Sequence, residues 1–190
     1  MNIFFDTEFT GLEKDTDLIS IGLITDTGNT FYAEFTDYRE EKISPWIKDN
    51  VLAKLKFGLP YVDTNPSAFK ICGNRKAISQ SLNEWLKQFH EVQFVSDCSH
   101  YDFVLLVDLL TDGRTAQDLP GNVSPVCHDI NQDIAEYLGM TDWEAFDVDR
   151  EDFARMTDVE SKHNALHDAE VIAAIYKKCN VPFGFPFGGK

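Results

Sequence analysis

The chain has 190 residues, 32 acidic and 17 basic, for a formal net charge of −15. That length favours one compact domain, and 43% hydrophobic residues with 15 Phe, 6 Tyr and 3 Trp can fill a core, which excludes a largely disordered chain. No apolar run approaches the ~18 residues of a membrane span, the opening Met1–Asp6 lacks a secretory-signal pattern, and the charge taken alone argues against a polyanionic partner.

In chain order, Asn2–Phe5 is a short apolar run ending at Asp6, which predicts a central strand. Leu18–Thr25 is nearly continuous in apolar and β-branched residues, a second buried strand. Turn residues Asp26, Thr27, Gly28 and Asn29 return the chain into a third strand over Thr30–Phe35, so these three form an antiparallel meander. Residues 46–55 predict a short helix after Pro45, and Ile78, Leu82, Trp85, Leu86 and Phe89 mark a helix from about Arg75. A fourth strand over Val92–Ser96 precedes a helix through Phe103–Leu110, and a weak fifth strand falls near Val123–Cys127. Ile130, Ile134 and Leu138 mark a helix closed by Gly139. Residues 140–162 are polar and acidic and read as a mobile loop with a helical piece, and Ala165–Lys178 as a strong last helix. This order predicts a single α/β domain over residues 1–180 around one mixed five-stranded sheet, then an apolar Gly/Pro/Phe tail over residues 181–190.

Cys72, Cys98, Cys127 and Cys179 are scattered without a Cys-x-x-Cys pair. That argues against zinc and for reduced, buried thiols in a cytoplasm.

Asp6 and Glu8 stand two apart where the first strand ends, so both carboxylates point to one face. Asp149 and Glu151 repeat the pattern, but in a charged stretch that reads as solvated. Asp102 follows the fourth strand; with Ser99 as N-cap it also fits the third position of a capping pattern, and Asp97 is its rival nearer the strand end. His163 and Asp168, five apart, would lie about 140° apart on a regular helix. They share a site only if His163 sits in the preceding loop and Asp168 in the first turn, a break that Asn164 as N-cap supplies. His167 reads as a surface residue.

An Asp-x-Glu after the first strand, an Asp opening a helix after the fourth, and a His-x₄-Asp opening the last helix come in one order. In this the sequence resembles the DEDDh branch of the DnaQ-like 3′–5′ exonucleases. Phe5-Asp6-Thr7-Glu8-Phe9, Asp17-Leu18-Ile19-Ser20-Ile21-Gly22, Phe31-Tyr32-Ala33, Trp46-Ile47 to Lys54-Leu55 and Tyr101-Asp102 look like the small bacterial exoribonucleases of the mycobacterial type. His167 departs from the acidic or small residue common before the last Asp. The resemblance implies a ribonuclease H-like fold, and two divalent cations, Mg²⁺ or Mn²⁺, held by Asp6, Glu8, Asp102 and Asp168. Asp6 would bridge them, Glu8 and Asp168 hold the nucleophile's ion, and Asp102 the other, with His163 as general base. It also implies single-stranded RNA 3′ ends as substrate, DNA being the alternative, and a homodimer. An inactive binding module and an acidic nucleic-acid mimic are the rival readings.

Thr7, Phe9 and Thr10, next to the ligands, are candidates for contact with the terminal nucleotide. Charge is uneven: residues 48–76 carry a local balance of +4 and residues 129–160 one of −9. The first segment, with Lys54 and Arg75, is a candidate for backbone contact; the second reads as a solvated face.

Overall fold

The computed structural model describes residues 1–180; the tail expected over 181–190 lies outside the described residues. The meander forms as β1 (Asn2–Phe9), β2 (Leu18–Thr25) and β3 (Thr30–Phe35), antiparallel in sequence. Two strands that sequence reasoning missed, β4 (Tyr61–Asp63) and β5 (Ala68–Gly73), come before β6 (Val92–Ser96) and β7 (Val123–Asp129). The mixed sheet therefore has seven strands, in the order β4-β5-β3-β2-β1-β6-β7. The extra pair extends one edge, where β5 joins β3 in parallel and β4 returns against β5. β4 has three residues and leaves Tyr61 and Val62 exposed, and β5 buries only Ile71 and Cys72 of its six, so neither carries the apolar signal of a buried strand.

Among the described residues there are seven α-helices: α1 (Pro45–Asn50), α2 (Arg75–Leu86), α3 (Ser99–Leu110), α4 (Ile130–Leu138), α5 (Asp142–Phe146), α6 (Arg150–Ala154) and α7 (Ala165–Asn180). The stretch expected to be a mobile loop with a helical piece is more ordered than that: it holds two short helices, α5 and α6, and a 3₁₀ turn at Val159–Ser161. Its acids are the reason. Thr141 and Glu144 close a capping box on α5, and the Asp149 side chain caps α6, where helix dipoles favour negative charge.

Strand alternation divides the core into two layers. Ile3 and Phe5 of β1 join Ile21, Leu23 and Phe31 against Ile78 and Leu82 of α2 and Leu106 and Leu109 of α3. Phe4 faces the opposite layer, with Val95, Ile134 of α4, and Ile172 and Ile175 of α7. β1 is therefore central and covered on both faces. It also outruns its neighbour. β6 pairs with β1 only as far as Phe4↔Val95, whereas β2 accompanies β1 to Phe9. The carboxyl ends of this parallel pair thus frame a crevice, the usual place for a site in such sheets. No described helix is long and apolar enough to cross a membrane.

Candidate active site

Phe4, Asp6 and Glu8 share the face of β1 that meets α7, so the apolar register that buries Phe4 also aims both carboxylates at that helix. Across the strand pair, Asp6 stands opposite Gly22 of β2. A Cβ on Gly22 would lie 2.3 Å from Leu166 Cα and N, so only glycine lets the first turn of α7 rest on the sheet here. That close approach brings Asp168 to the end of β1.

The helix opens as the five-residue spacing requires. The Asn164 side chain accepts from the His167 amide at 3.4 Å, and the Asn164 carbonyl accepts the Asp168 amide at 3.0 Å. His163, with φ +66°, stands outside the helix in the left-handed region. Its backbone N–H donates to Asp168 Oδ2 at 3.0 Å and its Nδ1 lies 3.8 Å from Glu8 Oε1. A buried network fixes this corner. Asn164 Nδ2 donates to the Tyr32 hydroxyl (3.1 Å), which donates to Glu34 Oε1 (2.8 Å). Glu34, buried on β3, also accepts the amides of Lys56 and Phe57.

Asp102 is no capping residue. The N-cap of α3 is Cys98, with no side-chain cap, and the Ser99 hydroxyl donates instead to Asp129. The Asp102 carboxylate is buried and accepts from Thr7 Oγ1 at 2.5 Å and Ser96 Oγ at 2.8 Å. These hydroxyls leave it aimed beside Asp6, whose own Oδ2 is buried without a hydrogen-bond partner among the described residues.

The five motif residues thus line one cavity of about 330 Å³. Within it, Glu8, His163 and Asp168 bring ligand atoms within 4.8 Å of one another, as do Asp6, Asp97 and Asp102. Asp97, weighed as a rival of Asp102, lines the cavity together with it, and three further wall residues were not assigned to the site by sequence reasoning: Arg150, Glu151 and Lys162. Arg150 Nε donates to Asp97 at 3.2 Å, and its guanidinium also donates to Asn131 and to the Ala145 and Val148 carbonyls. Glu151 is buried, not solvated, and pairs with Lys162 at 3.0 Å. His167 is likewise buried, not on the surface. Six carboxylates and two cations line the cavity, a formal wall charge of −4 when all are ionised.

Crowding at that density holds protons on. Burial first, then the charges of Asp102, Asp168 and Glu8, raises Asp6 well above the usual carboxylate range. Burial, then Asp168 and Asp102, pushes Glu8 up to about 8. Burial is also the main reason that Asp102 and Asp168 rise to about 7, against the Thr7 and Ser96 hydroxyls in one case and the His163 amide in the other. His163 moves the opposite way: burial and then Lys162 hold it below the ordinary histidine value. Burial keeps Cys98, which touches the cavity, a thiol with its pKa pushed up to about 12. The cysteines are free, but only Cys72 is buried; the other three are partly exposed.

The substrate candidates divide. Phe9 lines the cavity and stacks on Tyr101, ring centroids 6.1 Å apart. Thr7 lines it too, but its hydroxyl is committed to Asp102. Thr10 is buried away from it, its hydroxyl accepting the Asp17 amide and paired with Thr16. Trp46, exposed on α1, meets the His163 ring edge-on at 5.1 Å. Lys54 donates to the Glu160 carbonyl beside this corner, whereas Arg75 pairs with Asp108 and does not line the cavity.

Two curated proteins of Mycobacterium tuberculosis, 3′-5′ exoribonuclease Rv2179c of strain H37Rv and 3′-5′ exoribonuclease MT2234.1 of strain CDC 1551, are each 32% identical over 87 residues. That match covers 46% of this chain and 46% of each relative, so it spans about half the length of the curated relatives. A family match runs much further, from residue 1 to residue 180. The seven-stranded mixed sheet flanked by helices agrees with the ribonuclease H-like fold. The chain belongs to the Rv2179c-like 3′-5′ exoribonuclease domain family.

Proposed function

We propose that this chain hydrolyses single-stranded RNA from its 3′ end, releasing nucleoside 5′-monophosphates, with divalent cations held by Asp6, Glu8, Asp102 and Asp168. The observation that carries this is the convergence of those four carboxylates and His163 on one cavity. Their oxygen donors suit hard ions, Mg²⁺ or Mn²⁺. The unpartnered Asp6 Oδ2 and the wall charge of −4 fit two such ions, Asp6 and Asp102 serving one side, Glu8 and Asp168 the other. When bound, the ions supply Lewis-acid stabilisation of the attacking and leaving oxygens.

The chain's own residues do the rest. His163, neutral at pH 7, takes the proton of the attacking water on its ring. The Asp168 bond to its backbone holds the left-handed turn that keeps the imidazole beside Glu8. Thr7 and Ser96 orient the Asp102 carboxylate. Phe9 offers a ring on which a terminal base stacks. The reaction belongs in a cytoplasm, and sedimentation tests the homodimer that the resemblance implies.

The deciding experiment compares 3′-labelled and 5′-labelled oligonucleotides, RNA and DNA, with Mg²⁺ and with chelator. Immediate release of labelled mononucleotide from the RNA 3′ end, abolished by chelator, is expected. Release from the 5′ end, equal cleavage of DNA, or chelator-resistant turnover refutes the reading.

A further inference from the structure

Against Asp168 lies a second group of donors that the proposed reaction leaves unused. Glu151, His167 and Asp168 each bring a ligand atom within 4.8 Å of the other two. His167 is only 7% exposed, and its Nε2 is buried with no hydrogen-bond partner among the described residues. A buried polar atom left unpaired costs free energy, so this ring needs a reason to face two carboxylates. Glu151 is 3% exposed, with Lys162 donating to its Oε2.

We propose that Glu151, His167 and Asp168 form a second cation site, overlapping the first at Asp168, that takes Zn²⁺ in preference to Mg²⁺ and is inhibitory when filled. A ring nitrogen with two carboxylate oxygens is a donor set for a borderline ion, which takes three protein ligands and leaves one position to water. Mg²⁺ prefers oxygen donors and retains its own water. Inhibition, which rests on the exoribonuclease reading, follows from the shared ligand. Asp168 Oδ2 already accepts the His163 amide, leaving one oxygen without a hydrogen-bond donor among the described residues. An ion held by His167 and Glu151 competes for that oxygen, and its charge opposes a catalytic ion nearby.

The test titrates the full chain with Zn²⁺ in saturating Mg²⁺ and without RNA, by calorimetry. One zinc ion is expected to bind through the magnesium background, with an affinity that His163→Gln leaves unchanged although Glu8, His163 and Asp168 offer the same donor types. His167→Gln is expected to weaken it by roughly 10–100-fold, the loss that follows even from removing an outer partner of a metal ligand, and Asp102→Asn is expected to retain it. Ring-nitrogen NMR of the unmodified protein guards against a variant that fails to fold: the His167 signals must shift on adding Zn²⁺. With RNA present, the zinc inhibition midpoint should rise by the same factor in His167→Gln. Equal zinc affinity with and without His167, or unmoved His167 signals, overturns the proposal. A chain that binds zinc as expected but cleaves no RNA overturns the exoribonuclease reading instead.

Discussion

Gly22→Ala adds one methyl group at the point where the last helix rests on the sheet. The new Cβ would lie 2.3 Å from Leu166 Cα and N and 2.4 Å from the Ala165 carbonyl carbon. Ordinary contact begins at 3.4 Å, and the atoms struck are backbone, so no rotamer relieves the overlap. α7 must retreat by roughly 1 Å at its first turn. Overpacking of this kind costs about 1–3 kcal/mol, more than the ~0.5–1 kcal/mol an alanine gains over glycine inside a strand. For a domain of this size, about 2 kcal/mol lowers Tm by some 4–8 °C. The same retreat carries Asp168 and His163 away from Asp6 and Glu8, and a misplacement near 1 Å costs about 10²-fold in rate. The assay is kcat on 5′-labelled RNA in saturating Mg²⁺ at 25 °C, where the variant stays folded, with Tm measured in parallel. Gly58→Ala is the control: a Cβ there meets nothing within 4 Å, and both readouts should hold. Wild-type kcat and Tm in Gly22→Ala would falsify the placement of α7 by this glycine.

Asp6→Asn should lower kcat by at least ~10³-fold and weaken Mg²⁺ binding in calorimetry while the circular dichroism spectrum is kept; full activity would remove Asp6 from the ligand set. Thr7→Val deletes the hydroxyl donor to Asp102, and should raise the Mg²⁺ concentration for half-maximal rate several-fold and cost about 1 kcal/mol in urea unfolding. In chelator, Glu8, Asp102 and Asp168 bind protons more tightly folded than unfolded, so their stabilising contribution is full below about pH 4 and is lost as pH rises through about 7 to 8; Asp6, also raised, acts in the same direction. His163, held low, acts in the opposite sense as a single group. The Tm of the chelated chain should therefore fall between pH 5.5 and 8.5, with Mg²⁺ restoring it most at the upper end; a rise over that range contradicts the crowding.

What the sequence made legible is what local rules decide. Asp6 and Glu8 are readable because a two-residue period and an apolar run fix both their face and their depth. His163 and Asp168 are readable because only a helix start between them, at Asn164, lets them meet. Asp102 was ambiguous on its own, since a capping pattern and a metal ligand look alike in sequence; the choice depends on Thr7 and Ser96, brought there by tertiary pairing. Arg150 and Asp97, 53 residues apart, could not have been joined by any spacing rule. Glu151 misled because its neighbours Asp149 and Asp152 are exposed, and only packing of α6 on α7 turns it inward. A signal for His167 did exist: it stands four and eight residues before Val171 and Ile175, on the same buried stripe of the last helix.

The charge of −15 misleads for a related reason. A net charge counts every acid as though it faced water, but six of the 32 acids line one cavity, with only Arg150 and Lys162 to offset them. Like charges packed so closely repel each other far more than they repel a distant phosphate backbone, because the wall is buried and salt screens it little. The demand of this wall is therefore for small cations, and with the two proposed ions bound it would no longer oppose a polyanion at that point. Of the two cations singled out for backbone contact, Arg75 is paired with Asp108 and Lys54 is tied to the Glu160 carbonyl at the rim. Binding that depends on the ions more than on surface lysines should show a shallow salt dependence and a steep dependence on divalent cation.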